Sequence, residues 1–595
     1  MRVLIIIPKC DIKPTRYPPY GALYIGTYLK QQGYEVKLYN LDILRPETKE
    51  VLEYIKRFNP DVIGFSAIVS NVYAYIKELS RQIKDTFPNL FMVLGGQLSN
   101  ASEVVLLNTP IDVTVISEGE KTIINLLESV KSGSSLKEVK GIAYRNGGDI
   151  IYTAPVDLIK QIDELPFPDF ELIDMKKHYV HTPTVGFRNY IPHIKDPRFR
   201  EPKRQGQKAF TIMTGRGCHA KCTFCCRNMK GIRKHSSEYI LDLIEMLKDK
   251  YNVGYFTFGD ESFVSTKRWV LDFLVKMQKR KLDILFLVMG ARVDTVDKEL
   301  IYALKDSGCF MIEYGYETGS QRMLDMMEKR TTIAENYRTH LWTVEAGLYT
   351  VPANVINMPG ETPETINDTI HFLKSLKMDV PQLIIKYAQA QPGTPLYEYA
   401  LLTGLIHNVD KYLSNIYDVH PKEVKNAFDM EVLLNFSGYP MSEVLSWERR
   451  IRYEVVKDAI KRTKPRLTYL LFIIKSKLKR FIIKAEKNLG ILRRPIRIFY
   501  PKLKRSSLVF YRKQDGRKDN IIKWDKNIEN LNQIGLVGKE TIVKIKKKNC
   551  TIKEGIKSPY NKHIDSCLDQ IDGQYLIRYP SLREICQKIE VENSK

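Results

Sequence analysis

Twice along this 595-residue chain, short and nearly unbroken apolar runs alternate with amphipathic helical patterns. Strands buried on both faces read as continuous apolar runs, and strand–helix–strand alternation joins them in parallel. In the first block, residues 1 to about 135, strands are expected at Val3–Ile7, Glu35–Tyr39, Asp61–Ser66, Phe91–Gly95 and Asp112–Ile116. Helical patterns at Tyr20–Gly33, Val51–Phe58, Val72–Phe87 and Lys121–Lys131 lie between and after them. The expected α/β fold is a doubly wound parallel sheet, which takes ligands at the carboxyl ends of its strands. The second block runs from Ala209 to about 400, with strands expected at Phe210–Thr214, Tyr255–Gly259, Ile284–Met289, Phe310–Tyr314, Tyr349–Ile356 and Gln382–Ala388. Six β/α units fit a partial (β/α)6 TIM-type barrel, whose working residues follow the strands.

Directly after the first barrel strand stands Thr214-Gly-Arg-Gly-Cys218-His-Ala-Lys-Cys222-Thr-Phe-Cys225-Cys226. Thiolates are the soft ligands of iron–sulfur clusters, and a complete four-iron, four-sulfur (4Fe–4S) site normally uses four of them. Three at C-x3-C-x2-C suggest a cluster with one iron left open, where a substrate or cofactor can bind. Zinc is the competing metal, but zinc sites usually show paired C-x2-4-C elements or a nearby His. Here His219 and Cys226 are each adjacent to a candidate ligand and poorly placed to share its metal, so Cys226 is read as a non-ligand. Structural thiols without metal are the remaining alternative.

The length calls for more than one domain, since single cores stop growing near ~250–300 residues. The four segments expected are 1–140, a ligand-binding sheet; 141–208, a hairpin and linker; 209–400, the barrel; and 401–595, a basic region of unassigned role. Nine cysteines with three bunched do not suggest a secreted disulfide framework. With no signal-peptide pattern and no long apolar span, the expected location is the cytoplasm. Net charge is +24, and residues 441–550 hold 31 Lys and Arg against 10 Asp and Glu, or +21 of it. Apolar runs flanked by Lys and Arg, as in Arg466–Lys475, fit an interfacial helix on anionic lipid, a nucleic-acid contact, or a solvated cover for the barrel. Nucleic acid is not the expected partner among these.

The cysteine spacing, with Phe224 before the last cysteine, resembles the signature of the radical SAM superfamily. The resemblance implies that Cys218, Cys222 and Cys225 hold the cluster and that the open iron chelates S-adenosylmethionine (SAM). One electron then cleaves SAM to methionine and a 5′-deoxyadenosyl radical. It further implies SAM contacts from Asp260 and Glu261 after the second barrel strand, Arg292 after the third, Glu317 in Gly315-Tyr-Glu-Thr-Gly-Ser320 after the fourth, and Gly360 and Glu361 after the fifth. The sixth strand leads to Gln391-Pro-Gly-Thr-Pro395, which is similar to a segment of the cobalamin-carrying members. In the N-terminal block, Pro19 and Gly21, Ser66, Gly95 and Gly96, and Glu118, Gly119 and Glu120 together resemble the loops of a cobalamin-binding domain. No histidine precedes His178, so an imidazole lower ligand to cobalt from that domain is impossible. By resemblance, residues 171–208 pack over the active site and contribute to a lid.

These features together imply a radical SAM enzyme that transfers a methyl group from cobalamin to an unactivated carbon of a small molecule or lipid. An electron donor such as ferredoxin or flavodoxin is implied, and membrane-surface association through the basic region is one expectation. The alternative chemistry is cyclisation, rearrangement or carbon–carbon coupling without methyl transfer. Methylthiotransferases carry a second cluster on three N-terminal cysteines, where this chain has only Cys10. A non-catalytic binding module would have little reason to keep all three clustered thiols.

Overall fold

The computed structural model describes residues 1–10, 14, 17–68, 70–183, 196–226, 231–379, 381–416 and 433–476. Its first sheet has seven strands: β1 (Arg2–Ile7), β2 (Glu35–Asn40), β3 (Val62–Ser66), β4 (Phe91–Gly95), β5 (Val113–Val115), β6 (Ile142–Asn146) and β7 (Asp149–Tyr152), in the order β2-β1-β3-β4-β5-β6-β7. The first five are parallel. The chain leaves β1 to one side for β2 and returns on the other for β3, so the strand order reverses between β1 and β3. That is the crevice where such sheets bind ligands. Leu4, Ile5 and Ile6 of β1 are buried on both faces, as an apolar run in a parallel sheet must be.

The hairpin at 141–153, grouped in the sequence with the linker, is part of this sheet: β6 pairs antiparallel with β5, and β7 with β6. Its turn holds Gly147 at φ 62°, where a side chain would be strained.

The second sheet contains β8 (Lys208–Ile212), β11 (Val253–Phe258), β12 (Leu285–Ala291), β13 (Cys309–Glu317), β14 (Tyr349–Ile356) and β15 (Ile384–Tyr387), parallel and in sequential order. A two-residue ribbon, β9 (Gly215–Arg216) with β10 (Arg233–Lys234), stands beside it. Ala209, Tyr255, Leu285, Leu287, Phe310, Met311 and Val351 form one apolar cluster, with Phe199 packed against it. Phe199 meets Tyr255 and Phe310 at ring distances of 5.2 and 4.9 Å. The segment before the barrel therefore closes its floor, not its mouth. Arg198 donates to the carbonyl of Cys309 (2.7 Å), at the start of β13, and to that of Lys305 (3.2 Å), at the end of the preceding helix Lys298–Asp306. The expected lid in 171–208 is thus corrected for 196–204, which lie at the amino-terminal ends of the strands; residues 184–195 lie outside the described set.

Two later helices pack on the two halves, one on each. The helix Val409–Asn415 lies on Tyr73–Thr86, where Tyr73 Oη and Lys77 Nζ both donate to Asp410 Oδ1 at 2.5 Å. The helix Met441–Thr463 packs on Pro363–Ser375 through Val444, Trp447, Ile451 and Val455, all buried. The basic sequence from 477 onward, with Cys567 and Cys586, lies outside the described residues.

Candidate active site

The cluster loop leaves β8 and is fastened at both ends. Asp260, after β11, accepts hydrogen bonds from Thr214 N (2.7 Å), Thr214 Oγ1 (2.5 Å) and Gly215 N (2.9 Å), with Lys234 Nζ at 3.5 Å. Gly215 must be glycine, because a Cβ there would stand 2.6 Å from the Arg233 carbonyl across the ribbon. Farther along, Thr223 N donates to Met327 O and Thr223 O accepts from Leu396 N, both at 3.0 Å. Around this second anchor, Cys225 N closes a turn onto Cys222 O at 3.2 Å.

The loop gathers Cys218, Cys222 and Cys225 into one electrostatic neighbourhood. Burial pushes the Cys222 thiol up, and the charges of Glu317 and Cys218 add to this while Lys329 and Arg292 oppose it. Cys225 is the most open of the three, yet desolvation, then Cys222, Glu261 and Cys218, push it up to about 12. Thiolates held this close need positive charge to form, which metal ions supply. No three of the described His, Cys, Asp and Glu side chains close around a single-ion position; the ligand sulfurs of a cluster stand farther apart than those around one ion. The three thiols, one of them open to solvent, fit a cluster with an open iron. Cys226 turns elsewhere: Asn100 Nδ2 donates to its sulfur at 3.4 Å, and Pro392 O lies 3.5 Å away.

Behind Cys222 lies a charged network. Arg292 is buried, donates to Asp294 through Nε (2.9 Å) and Nη2 (2.8 Å), reaches Lys329 O at 2.6 Å and points Nη1 at Cys222 Sγ from 3.6 Å. Lys329 is itself buried. Burial opposes its charge, but Glu317 at 2.6 Å and Cys222 more than compensate, raising its pKa. Glu317 adopts φ 61°, a conformation costly for a residue with a Cβ. A side chain at Gly315 would collide with this ion pair.

Four of the six residues expected at SAM have protein partners of their own. Asp260 braces the loop, Arg292 supports Cys222, and Glu317 is paired with Lys329. Glu361 is fully buried, folds back to accept from Asn357 N and Met358 N, and is pushed up to about 8 by burial. Glu261 is exposed beside Cys225. Gly360, at φ 78°, gives its carbonyl to Arg322.

On the N-terminal sheet, Gly21 and Gly95 border open space, where backbone can approach a ligand closely, and Ser66 ends β3 beside Gly95. Gly96, at φ 93°, lies so tightly on Ala67 that a Cβ would stand 2.5 Å from its carbonyl oxygen. Pro19 precedes the helix Tyr20–Gln31, and Tyr20 Oη donates to Thr211 O of the barrel at 2.7 Å. Glu118 and Glu120 are both buried in ion pairs with the cluster-loop ribbon. Arg216 reaches Glu118 at 2.8 Å and Glu120 at 2.6 Å, and Arg233 reaches Glu118 at 2.9 Å. Ile159 N also donates to Glu118 (2.8 Å). Burial raises the Glu118 pKa, but Arg233 and Arg216 prevail and lower it. Gly119 packs on Ile25, 3.0 Å from where its Cβ would be.

Arg216 and Arg233 therefore tie the cluster loop to the ligand edge of the first sheet. Asn100 does the same from the loop after β4, touching Cys226 and crowding Gly393 of the Pro-Gly-Thr-Pro segment. Beside Phe224 lies a cavity of about 240 Å³, lined also by Val355, Lys386, Tyr387, Ala388, Gln389 and Gln391. Arg216, Arg233, Lys329 and Lys386 were not among the residues expected from sequence.

Two family models match the chain: a B12 binding domain over residues 14–127 and the radical SAM superfamily over 212–373. An uncharacterized methyltransferase of Pyrococcus horikoshii is 28% identical over 420 residues, 68% of this chain and 84% of that protein. The anaerobic magnesium-protoporphyrin IX monomethyl ester cyclase of Cereibacter sphaeroides is 27% identical over 394 residues, 64% of this chain and 60% of its own. Among solved structures, the radical S-adenosylmethionine methyltransferase TsrM of Kitasatospora setae superposes with a TM-score of 0.53 at 20% identity, covering 68% of this chain and 77% of that one.

Proposed function

We propose that this chain, which belongs to the radical SAM superfamily and within it to the group with an N-terminal B12-binding domain, methylates an unactivated carbon of a small-molecule or lipid substrate. Its cofactors are a 4Fe–4S cluster, SAM and cobalamin. Bound together, they supply a one-electron cleavage that yields a hydrogen-abstracting radical and a methyl donor, chemistry that acid–base catalysis cannot perform on a carbon without an acidic proton.

The observation that carries this reading is the clamp between Arg216, Arg233, Glu118 and Glu120. It sets the cysteine loop against the strand ends of the first sheet, so the two cofactor sites face one another. The chain's own residues then have separable tasks. Cys218, Cys222 and Cys225 ligate; Asp260 and Thr223 hold the loop's ends; Arg292 and Lys329 place positive charge behind Cys222. Gly21 and Gly95 leave the corrin a close backbone approach, with Ser66 at the neighbouring strand end and Gly96 letting its loop lie on Ala67. The cavity beside Phe224 is the proposed substrate pocket, with Lys386 as its cation. A cytoplasmic location would supply a ferredoxin- or flavodoxin-type donor.

A second reading, ring formation without methyl transfer, is favoured by the likeness to the anaerobic cyclases. Reconstituted protein given SAM, a reductant and candidate substrates separates the two. Methyl transfer releases S-adenosylhomocysteine with each product, whereas cyclisation releases 5′-deoxyadenosine without it.

A further inference from the structure

Residues 466–476 form the last described helix, Arg466-Leu-Thr-Tyr-Leu-Leu-Phe-Ile-Ile-Lys475-Ser476. It has two faces of identical spacing. Tyr469, Phe472, Ile473 and Ser476, at i, i+3, i+4 and i+7, are half-buried. Phe472 stacks on Tyr453 of Met441–Thr463 at 5.8 Å, so this face docks the helix on the body of the protein. Leu467, Leu470, Leu471 and Ile474 repeat the same spacing on the opposite side and are 68, 46, 46 and 58% exposed. A surface helix normally turns its polar stripe to water. Here four large aliphatic side chains stand there as one contiguous stripe, the kind of patch that marks an interaction surface.

Charge decides what covers it. From Arg466 to Arg505 the sequence has thirteen Lys and Arg and one acid, Glu486. A nucleic-acid backbone would use the charge and leave the aliphatic stripe idle. A groove on a protein partner would use the stripe and leave the charge idle. An anionic bilayer uses both: aliphatic side chains enter the headgroup boundary while Lys and Arg meet lipid phosphates. No described helix is long and apolar enough to cross a membrane.

We infer that helix 466–476 docks this protein on an anionic lipid surface, with Leu467, Leu470, Leu471 and Ile474 inserted and Arg466 and Lys475 at the headgroups. The docking is separate from the catalytic reading and holds whether the substrate is a lipid or is soluble.

The test is co-sedimentation of the full chain with vesicles of phosphatidylcholine alone and of phosphatidylcholine mixed with phosphatidylglycerol. Binding is expected to the mixed vesicles and at least about tenfold weaker to the neutral ones, falling further as salt rises. Leu470→Ser with Ile474→Ser should weaken binding to mixed vesicles by at least about tenfold while iron loading and thermal midpoint stay unchanged. Leu467→Ser with Leu471→Ser serves if the first pair misfolds. Undiminished vesicle binding by both pairs would overturn the inference. So would a dimer of the unmodified chain that the serine pairs dissociate, with no vesicle binding, or binding to single-stranded RNA alone.

Discussion

Replacing Glu118 by Ala should separate the cluster loop from the sheet that faces it. The carboxylate is 5% exposed and accepts from Arg216, Arg233 and Ile159 N. Removing it leaves Arg216 with Glu120 and strips Arg233 of its bonds to both Glu118 oxygens, while the Ile159 carbonyl stays at 2.7 Å from Arg233. Removing one partner of a buried pair costs about 3–5 kcal/mol. Because the arginine side chains are 15 and 14% exposed, the lower end, about 3 kcal/mol, is appropriate. If the barrel melts as a unit of ~150–250 residues, that corresponds to a drop of about 6–12 °C in its Tm. Glu118→Gln keeps the shape and one acceptor and should lose about half as much. Differential scanning calorimetry of the anaerobically reconstituted protein measures both, with iron per chain as the control for intact ligands. The sign with pH is fixed too. The Glu118 pKa is lowered in the folded state, so its contribution is full above the ordinary carboxylate range and disappears as pH falls through the folded value. A shift below about 1 °C for Glu118→Ala, or a difference from the unmodified protein that grows as pH falls, would refute the clamp as described.

Other perturbations are as direct. Substituting Cys218, Cys222 or Cys225 by Ala should abolish the cluster's visible absorption, while Cys226→Ala should retain it. Lys329→Met strands Glu317 in a buried site and should cost about 3–5 kcal/mol, read as a lowered thermal midpoint. His235 is buried between Tyr24 and Tyr239, and burial brings its pKa down to about 4. The unfolded chain therefore binds the extra proton first, and stability should fall by about 3 kcal/mol from pH 6.5 to 4, a slope that His235→Gln should flatten. Trp447→Ala should cost about 3–5 kcal/mol and expose Met441–Thr463 to proteolysis, whereas Trp447→Phe should cost less, because the indole N–H has no hydrogen-bond partner among the described residues.

The sheets were legible because parallel strands such as Val3–Ile7 and Phe310–Tyr314 are buried on both faces and write themselves as apolar runs. The cysteine loop was legible because its ligands are neighbours in sequence. Partners distant in sequence were not. Glu118 meets Arg216 across 98 residues and Arg233 across 115, and nothing local to either signals the pairing. The acids Asp260, Glu317 and Glu361 stand after the strands where a motif places them, but a motif does not say which backbone amide or lysine they face. The floor-closing role of residues 197–204 has no local signal either: the resemblance puts the segment over the active site, and only the contacts of Phe199 and Arg198 show which end of the barrel it covers. Arg216 alone had a usable signal, as a cation inside the motif on a strand-forming pair.

The central claim is that one chain carries both cofactors. Anaerobic reconstitution with iron, sulfide and cobalamin, followed by metal analysis and the visible spectrum of the desalted protein, tests it most directly. About four irons per chain are expected together with near-stoichiometric cobalamin. An intact cluster with no cobalamin retained would contradict it.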